Sequence, residues 1–368
     1  MKSIMFPGKF LLGKNILASF ANYAEALGRK FLVVSSKSVM ATAKEKILMS
    51  IEGTEMKAEF TLFGGECSYK EIDRLAEIGK ENGCDCVVGI GGGKLLDASK
   101  SAALKLDAPV IVVPTIAATD APCSALTVVY TENGIFEAYE WLPANPEIVM
   151  VDTEIICRAP VRYLVAGMGD ALATYFEARA VRASNSNTCA VAAIGKQTKS
   201  AFVLAELCYH TLLADGLKAK LSAEAGVITP ALENVIEANI LLSGVGFESG
   251  GLAASHSIHN GMTVLPQTHA ANHGEKVAFG VLTQLMMENA PIEEINTVLD
   301  FCVSVGLPVT FAELGMGGVS DAELWKVAEA STVADETIHC QPFDVTAETV
   351  FAALTAANAI GTAYLAGK

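Results

Sequence analysis

The sequence predicts an α/β domain with a mostly parallel sheet over residues 1–160 and an all-α domain over residues 161–368. Three observations carry that reading. Short apolar runs alternate with amphipathic helical runs from residue 31 to about residue 155, the rhythm of strands joined by helical crossovers. One of those runs ends in the glycine turn GIGGGK (89–94), which opens the next helix. Beyond Pro160 the pattern is helical almost to the end.

FLVVSS (31–36) reads as a buried strand, with a helical run through Met49 after it. KAEFTLFG (57–64) is a second strand, and EIDRLAEIGKENG (71–83) an amphipathic helix stopped by Gly83. CDCVVGI (84–90) runs into GGGKLLDASKSAALKL (91–106) as strand, turn and helix, and APVIVVPT (108–115) is another strand. Such alternation implies right-handed crossovers. TVVYTENGIFEAY (127–139), with Glu132-Asn133-Gly134 between β-rich runs, reads as a hairpin. PEIVMVDTEI (146–155) is the last strand, and Pro160 marks the changeover. Helices are expected at 161–183, 197–214, 218–225, 230–246, 273–289, 291–305, 321–334 and 346–366, with no strand between them.

Half of the 368 residues are hydrophobic and 18% are charged, which suits a compact globular chain of two domains. A formal charge of −15 argues against nucleic acid and anionic membranes as partners. Nine scattered cysteines, with Cys84-Asp-Cys86 the only close pair, read as reduced thiols of a cytoplasmic protein. The start, MKSIMFPGKF, has no apolar core of signal-peptide length. Residues 349–367 are uncharged but rich in Ala and Thr, so a packed C-terminal helix is expected there and a membrane span is not.

The glycine turn is the candidate phosphate site. Gly89, Gly91, Gly92 and Gly93 end a strand and open a helix, where bare N–H groups and the helix dipole favour an anion. It lacks the GxGxxG spacing, Lys94 is followed by Leu95 where a P-loop needs Ser or Thr, and a turn made for packing alone is the alternative. The loop PTIAATDAPCSALTVVY (114–130) offers Thr115, Thr119, Asp120 and Ser124 at the next strand end, although Asp120 also suits a helix N-cap.

GLAASHSIHNGMTVLPQTHAANHGEKVAFG (251–280) holds four of the six histidines: His256, His259, His269 and His273. Its glycines and Pro266 divide it into two helical pieces, within each of which the histidines lie three or four residues apart and share a face. Two such faces turned together put imidazoles of different helices on one metal ion. Histidines near helix ends also cap carbonyls or sit hydrogen-bonded in a core, and residue type alone leaves both readings open. Asp170, in AGMGDALATYFEARA (166–180), has apolar neighbours and needs a cation, a donor or a metal. Helix capping, or pairing with Arg162 or Arg179, is the plainer account. Asp170 with two histidines makes three ligands and an open position, the catalytic pattern for zinc.

Taken together, GIGGGK (89–94), PTIAATDAPCSALTVVYT (114–131), GMGDALATYFEAR (167–179), GVGFESGGLAASHSIHNG (244–261) and HGEKVAFG (273–280) resemble the metal-dependent, so-called iron-containing alcohol dehydrogenases, and within them the branch that oxidises glycerol. The match runs from roughly residue 5 to the C-terminus, with the five motifs in family order. The resemblance implies a dehydroquinate synthase-like two-domain fold: a Rossmann-like dinucleotide-binding domain, a helical domain, and the active site in the cleft between them. It implies Asp170, His256 and His273 as metal ligands, which with Asp120 form the candidate catalytic set. Gly92, Gly93 and Lys94 fall at the pyrophosphate, Ser36 at the adenosine ribose, and Thr115, Ala118, Ser124, Leu126 and Tyr130 along the cofactor. Asp120 approaches the substrate hydroxyls, Phe247 walls the pocket, and His259 and His269 take a supporting or substrate-facing role. The implied activity is reversible, NAD(P)-dependent, zinc-assisted oxidation of glycerol to dihydroxyacetone by a homo-oligomer, often an octamer in this family.

Two departures from the family pattern inform the cofactors. Iron-type members carry a ligand His four residues after the Asp; this chain has Thr174 there, and the remaining one-carboxylate, two-imidazole set favours Zn²⁺ over Fe²⁺. The acid expected at the end of the first strand is Ser36, next to Lys37, which lifts the repulsion of a 2′-phosphate and allows NADP beside NAD. Rival readings are a sister enzyme for propane-1,2-diol or other small alcohols, aldehydes or hydroxyketones, a 3-dehydroquinate synthase-like lyase, and a cofactor-binding relic. The lyase needs a basic phosphate cluster, and residues 244–280 offer only Lys276.

Overall fold

A computed structural model describes residues 1–367, and the chain divides into two compact units. One is Met5–Ala159 with Gly226–Ile228; the other is Met1–Ile4 with Pro160–Ala225 and the chain from Thr229 onward.

After a two-residue strand, β1 (Lys2–Ser3), the first of these units opens with β2 (Lys9–Gly13) and the short helix α1 (Phe20–Ala24). Strands and helices then alternate: β3 (Lys30–Ser35), α2 (Met40–Ile51), β4 (Lys57–Leu62), α3 (Tyr69–Glu81), β5 (Cys86–Gly91), α4 (Gly93–Leu106) and β6 (Val110–Pro114). The antiparallel hairpin β7 (Leu126–Tyr130) and β8 (Phe136–Trp141) comes next, followed by β9 (Ile148–Asp152) and α5 (Thr153–Cys157). Six strands form one parallel sheet in the order β2-β9-β6-β5-β3-β4. The continuous apolar runs of β3, β5, β6 and β9 are its buried middle, as a sheet covered on both faces requires, whereas β2 and β4 are half-exposed edges. Edge strand β2 was not expected; KFLLG is short and lacks the apolar length of the central strands. The chain steps from β3 outward to β4 and returns to β5 on the other side of β3, so the sheet reverses direction between β3 and β5. Ligands of open parallel sheets gather at the carboxyl ends flanking such a reversal, here Ser35 and Gly91.

The helical unit comprises α6 (Val161–Ser184), β10 (Lys196–Gln197), α7 (Lys199–Glu224), α8 (Pro230–Glu237), a π turn at Ala238–Leu242, α9 (Ser243–Gly250), α10 (Ala254–Met262), α11 (His273–Met287), α12 (Ile292–Val305), α13 (Asp321–Ser331) and α14 (Ala347–Ala366). Side-chain caps start several of them: Thr198, Thr229, Ser320 and Thr346 each accept a backbone N–H of the first turn. α6 is the axis of the unit, buried along most of its length from Leu164 to Val181 and packed by α7, α9 and α11. Its contact with α11 is made backbone to backbone. A Cβ on Gly169 would sit 2.3 Å from the Gly274 carbonyl oxygen, and one on Gly274 would sit 1.7 Å from that of Ala166. α10 reaches α11 in the same way, since a Cβ on Gly280 would lie 2.4 Å from the Ser255 carbonyl oxygen.

Several boundaries differ from those expected. The helices placed at 197–214 and 218–225 are one, Lys199–Glu224, because Gly216 is an interior contact against Phe301 and not a stop. The helix placed at 230–246 reaches Gly250 and is wound through one π turn, where Asn239 Nδ2 donates to the Leu164 carbonyl at 3.0 Å. A strand does interrupt the helical half: β10 pairs in parallel with β1. α14 is long and apolar enough to cross a membrane by length and composition, yet Val350, Ala353, Leu354, Ala357 and Gly361 bury one of its faces against α11 and α13.

Gly274→Ala is expected to cost about 1–3 kcal/mol or more by overpacking, read as a lower denaturation midpoint. Gly318→Ala, where a Cβ meets nothing within 4 Å, should stay within about 0.5 kcal/mol of the parent.

Candidate functional site

Three donors meet in the helical unit. Asp170 comes from the middle of α6, His256 from the first turn of α10 and His273 from the first residue of α11. His273 Nε2 lies 3.1 Å and His256 Nε2 3.3 Å from Asp170 Oδ1, and one ligand atom from each residue falls within 4.8 Å of the others. Asp170 is 1% exposed, and its Oδ2 is buried without a hydrogen-bond partner. Neither arginine near it in sequence serves it: Arg162 pairs with Glu275 at 2.8 Å, and Arg179 with Glu288 and Glu294. Burial alone would raise the Asp170 carboxyl, but the imidazoles of His273 and His256 outweigh it and hold the group below the usual carboxylate range.

A carboxylate oxygen and two imidazole nitrogens suit zinc, and the partnerless Oδ2 is a buried acceptor still to be satisfied. The residues therefore fit a divalent ion. Thr174, where a fourth protein ligand would stand, is tied to Ser243 by a 2.9 Å hydroxyl contact, and a Cβ on Gly246 would come within 2.3 Å of its Cγ2. That packing leaves a methyl-sized space where an imidazole would have to go.

The other two histidines separate. His259 Nε2 lies 3.0 Å from His273 Nδ1, while its Nδ1 meets the Asn260 side chain. Burial first, then the neighbouring His273, pushes His259 well below its ordinary value, so it stays neutral. His269 does not share a helix face with His273. It follows the short 3-10 turn Pro266–Thr268, outside α11, and its Nε2 meets the Thr263 carbonyl. The extended N-cap Asn272 that starts α11 lies between the two histidines and breaks the register that the four-residue spacing suggests. Phe247 is buried in α9.

Glu177 has no place among the residues expected from sequence, yet it is wholly buried and reaches His256 Nδ1 at 2.6 Å. It is also the main reason, with Asp170, that His256 sits well above its ordinary value although burial opposes this. The available signal was a second acid two turns after Asp170 on the same helix.

The candidate nucleotide residues gather in the α/β unit. Gly92 is the N-cap of α4, and a Cβ on Gly93 would meet only Thr119 Oγ1, at 3.8 Å, so the backbone N–H groups there stand open to an anion. Lys94 pairs with Glu66 at 2.7 Å and lies 4.7 Å over the ring of Tyr130. Ser36 follows β3, its hydroxyl 3.0 Å from that of Ser38. The Thr115 N–H bonds the Gly91 carbonyl, tying the loop after β6 to the glycine turn. Asp120 caps no helix; its carbonyl accepts from Cys123 in a turn. Beneath this loop lies Lys100, fully buried in α4. Its ammonium bonds the carbonyls of Ala121, Ser124 and Leu126 and pairs with Asp97 at 2.9 Å, and Asp97 accepts from the Val128 N–H. Ala118, Ser124, Leu126 and Tyr130 thus belong to one segment held from below by a buried cation.

Comparison with known proteins follows the same lines. The model of the family "Iron-containing alcohol dehydrogenase" matches residues 7–153. The chain is 50% identical over 366 residues to the glycerol dehydrogenase of Citrobacter freundii, covering 100% of both chains. It is 42% identical over 355 residues to the glycolaldehyde reductase of Halobacterium salinarum, covering 96% of each. The crystal structure of glycerol dehydrogenase from Schizosaccharomyces pombe superposes with a TM-score of 0.94 at 37% identity, over 99% of this chain and 92% of that one.

Lys100→Met strands the Asp97 carboxyl and three carbonyls, and is expected to cost about 3–5 kcal/mol in urea unfolding. Adding Asp97→Asn should recover part of that loss.

Proposed function

Because the chain belongs to the iron-containing alcohol dehydrogenase family, we propose that it oxidises glycerol reversibly to dihydroxyacetone, with a zinc ion held by Asp170, His256 and His273. Membership of the family implies a metal ion, a nicotinamide nucleotide and a small-molecule substrate. Zinc, the substrate and the residue roles are our reading. The observation that carries it is the convergence of one buried carboxylate, with a partnerless oxygen, and two imidazole nitrogens within 4.8 Å.

On this reading residues 1–160 form the dinucleotide-binding domain and residues 161–368 the metal- and substrate-binding domain. The N–H groups of Gly92, Gly93 and Lys94 hold the pyrophosphate on the N-terminus of α4. Thr115, Ala118, Ser124, Leu126 and Tyr130 line the nucleotide. The metal supplies a Lewis acid that lowers the pKa of a substrate hydroxyl. Asp170 would bring a single negative charge beside such an ion, and the imidazoles of His256 and His273 none. Asp120 accepts from the substrate hydroxyls and Phe247 excludes water. A bound nicotinamide nucleotide would supply the hydride acceptor for the carbinol carbon, and the hydroxyl proton would leave to water.

Ser36 in place of an acid supports the use of NADP beside NAD, with Lys37 drawing the 2′-phosphate. The enzyme works as a homo-oligomer, an octamer by resemblance. Nine scattered cysteines, read as thiols, support a reducing, cytoplasmic setting. A sister reading, reduction of small hydroxyaldehydes or hydroxyketones or oxidation of propane-1,2-diol, is favoured by the likeness to the glycolaldehyde reductase. A screen of short diols and carbonyls separates the two by kcat/KM.

Chelation should abolish glycerol oxidation and zinc restore it, while Asp170→Ala or His273→Ala lowers kcat/KM by about a thousandfold, the several kcal/mol a Lewis acid contributes. Full turnover after chelation would sink the assignment. The kcat/KM ratio for NADP over NAD should fall at least about tenfold in Ser36→Asp, whose carboxylate repels the 2′-phosphate. A strong NAD preference untouched by the change would rule the cofactor reading out.

A further inference from the structure

Glu177 lies two turns beyond Asp170 on α6. Seven residues rotate a helix by nearly two full turns and advance it by about 10 Å, so both acids issue from one face. The first faces the imidazole Nε2 atoms; the second faces the back of one of the same rings. Glu177 is 0% exposed. Its Oε1 accepts the backbone N–H groups of Ala253 and His256, each at 3.0 Å, and its Oε2 lies 2.6 Å from His256 Nδ1.

We propose that Glu177 is a positioning residue for metal binding: it fixes the tautomer and the angle of His256. This rests on the reading that Asp170, His256 and His273 hold the metal. A carboxylate accepts and does not donate, so Nδ1 carries a proton, and Nε2, which points at Asp170 Oδ1 from 3.3 Å, is the nitrogen left to give its lone pair to a metal. The same carboxylate satisfies the first N–H groups of α10, which have no partner inside the helix, and so locks the backbone from which the ring hangs. A metal-bound imidazole whose other nitrogen donates to a carboxylate is both better oriented and more basic. The two backbone bonds alone make an ordinary helix cap. The third contact, to the ring, is the one a cap does not need.

Glutamine at this position fits the space but carries one acceptor where two are required. Whichever way its amide turns, a donor faces a donor, and with NH₂ toward Nδ1 the ring proton is driven to Nε2, where it blocks coordination. The test is a double-mutant cycle on the full chain, with zinc affinity measured by competition against a chromophoric chelator. Melting of the metal-free protein is followed in parallel. Glu177→Gln should weaken zinc binding about 10–100-fold in a folded protein. In the His256→Ala background the same change should weaken it no further. Unchanged zinc affinity in Glu177→Gln, or an equal loss with and without His256, overturns the proposal. Should Glu177→Gln fail to fold, Glu177→Asp, which withdraws the carboxylate by one methylene, replaces it in the cycle. Native protein that holds zinc no better than His256→Ala would overturn the metal-site reading itself. Tight native binding left unchanged by Glu177→Gln would overturn this inference alone.

Discussion

The helical unit depends on two close approaches that only glycine permits. α6 and α11 touch at Gly169 and Gly274, and α10 touches α11 at Ser255 and Gly280. Each donor is the chain neighbour of one of these contacts: Asp170 follows Gly169, His273 precedes Gly274 and His256 follows Ser255. The close approaches thus bring together the three stretches of backbone that carry the donors. A side chain added at any of these glycines would press on backbone at a donor or one residue from it.

Both units solve the same electrostatic problem in opposite ways. In α4 the cation Lys100 is buried and answered by Asp97 and three carbonyls, and the result is a pinned loop. In α6 the anion Asp170 is buried and answered only in part, by two imidazoles on one oxygen. A fully satisfied charge makes a rigid support; a partly satisfied one leaves binding capacity. Lys94 resembles neither, since its pairing with Glu66 is half-exposed and so weak enough to exchange for another anion.

Much of the α/β unit was legible because buried strands announce themselves by continuous apolar runs, and the glycine turn by composition. The helical unit was legible as helices but not as contacts. Spacing along the chain suggested that His269 and His273 share a face, whereas the new helix start capped by Asn272 puts them on different elements. The gap expected between 214 and 218 spans Gly216, and sequence does not reveal that Phe301 packs against it. Asp170, His256 and His273 were singled out by residue type and resemblance. Glu177 was passed over because nothing in the sequence tells a buried acid on this arginine-bearing helix from a solvated one.

The three donors are far apart in sequence, His256 lying 86 and His273 103 positions beyond Asp170. No short fragment of the chain contains the whole set, and an unfolded chain presents it only by chance. Any ion captured there is thus a reporter of tertiary assembly: at a hundred times its dissociation constant it adds about 2.7 kcal/mol to the native state by mass action alone. A sequestering agent then acts on this unit as a gentle denaturant, and cellular supply of the ion becomes a control on how long the enzyme survives.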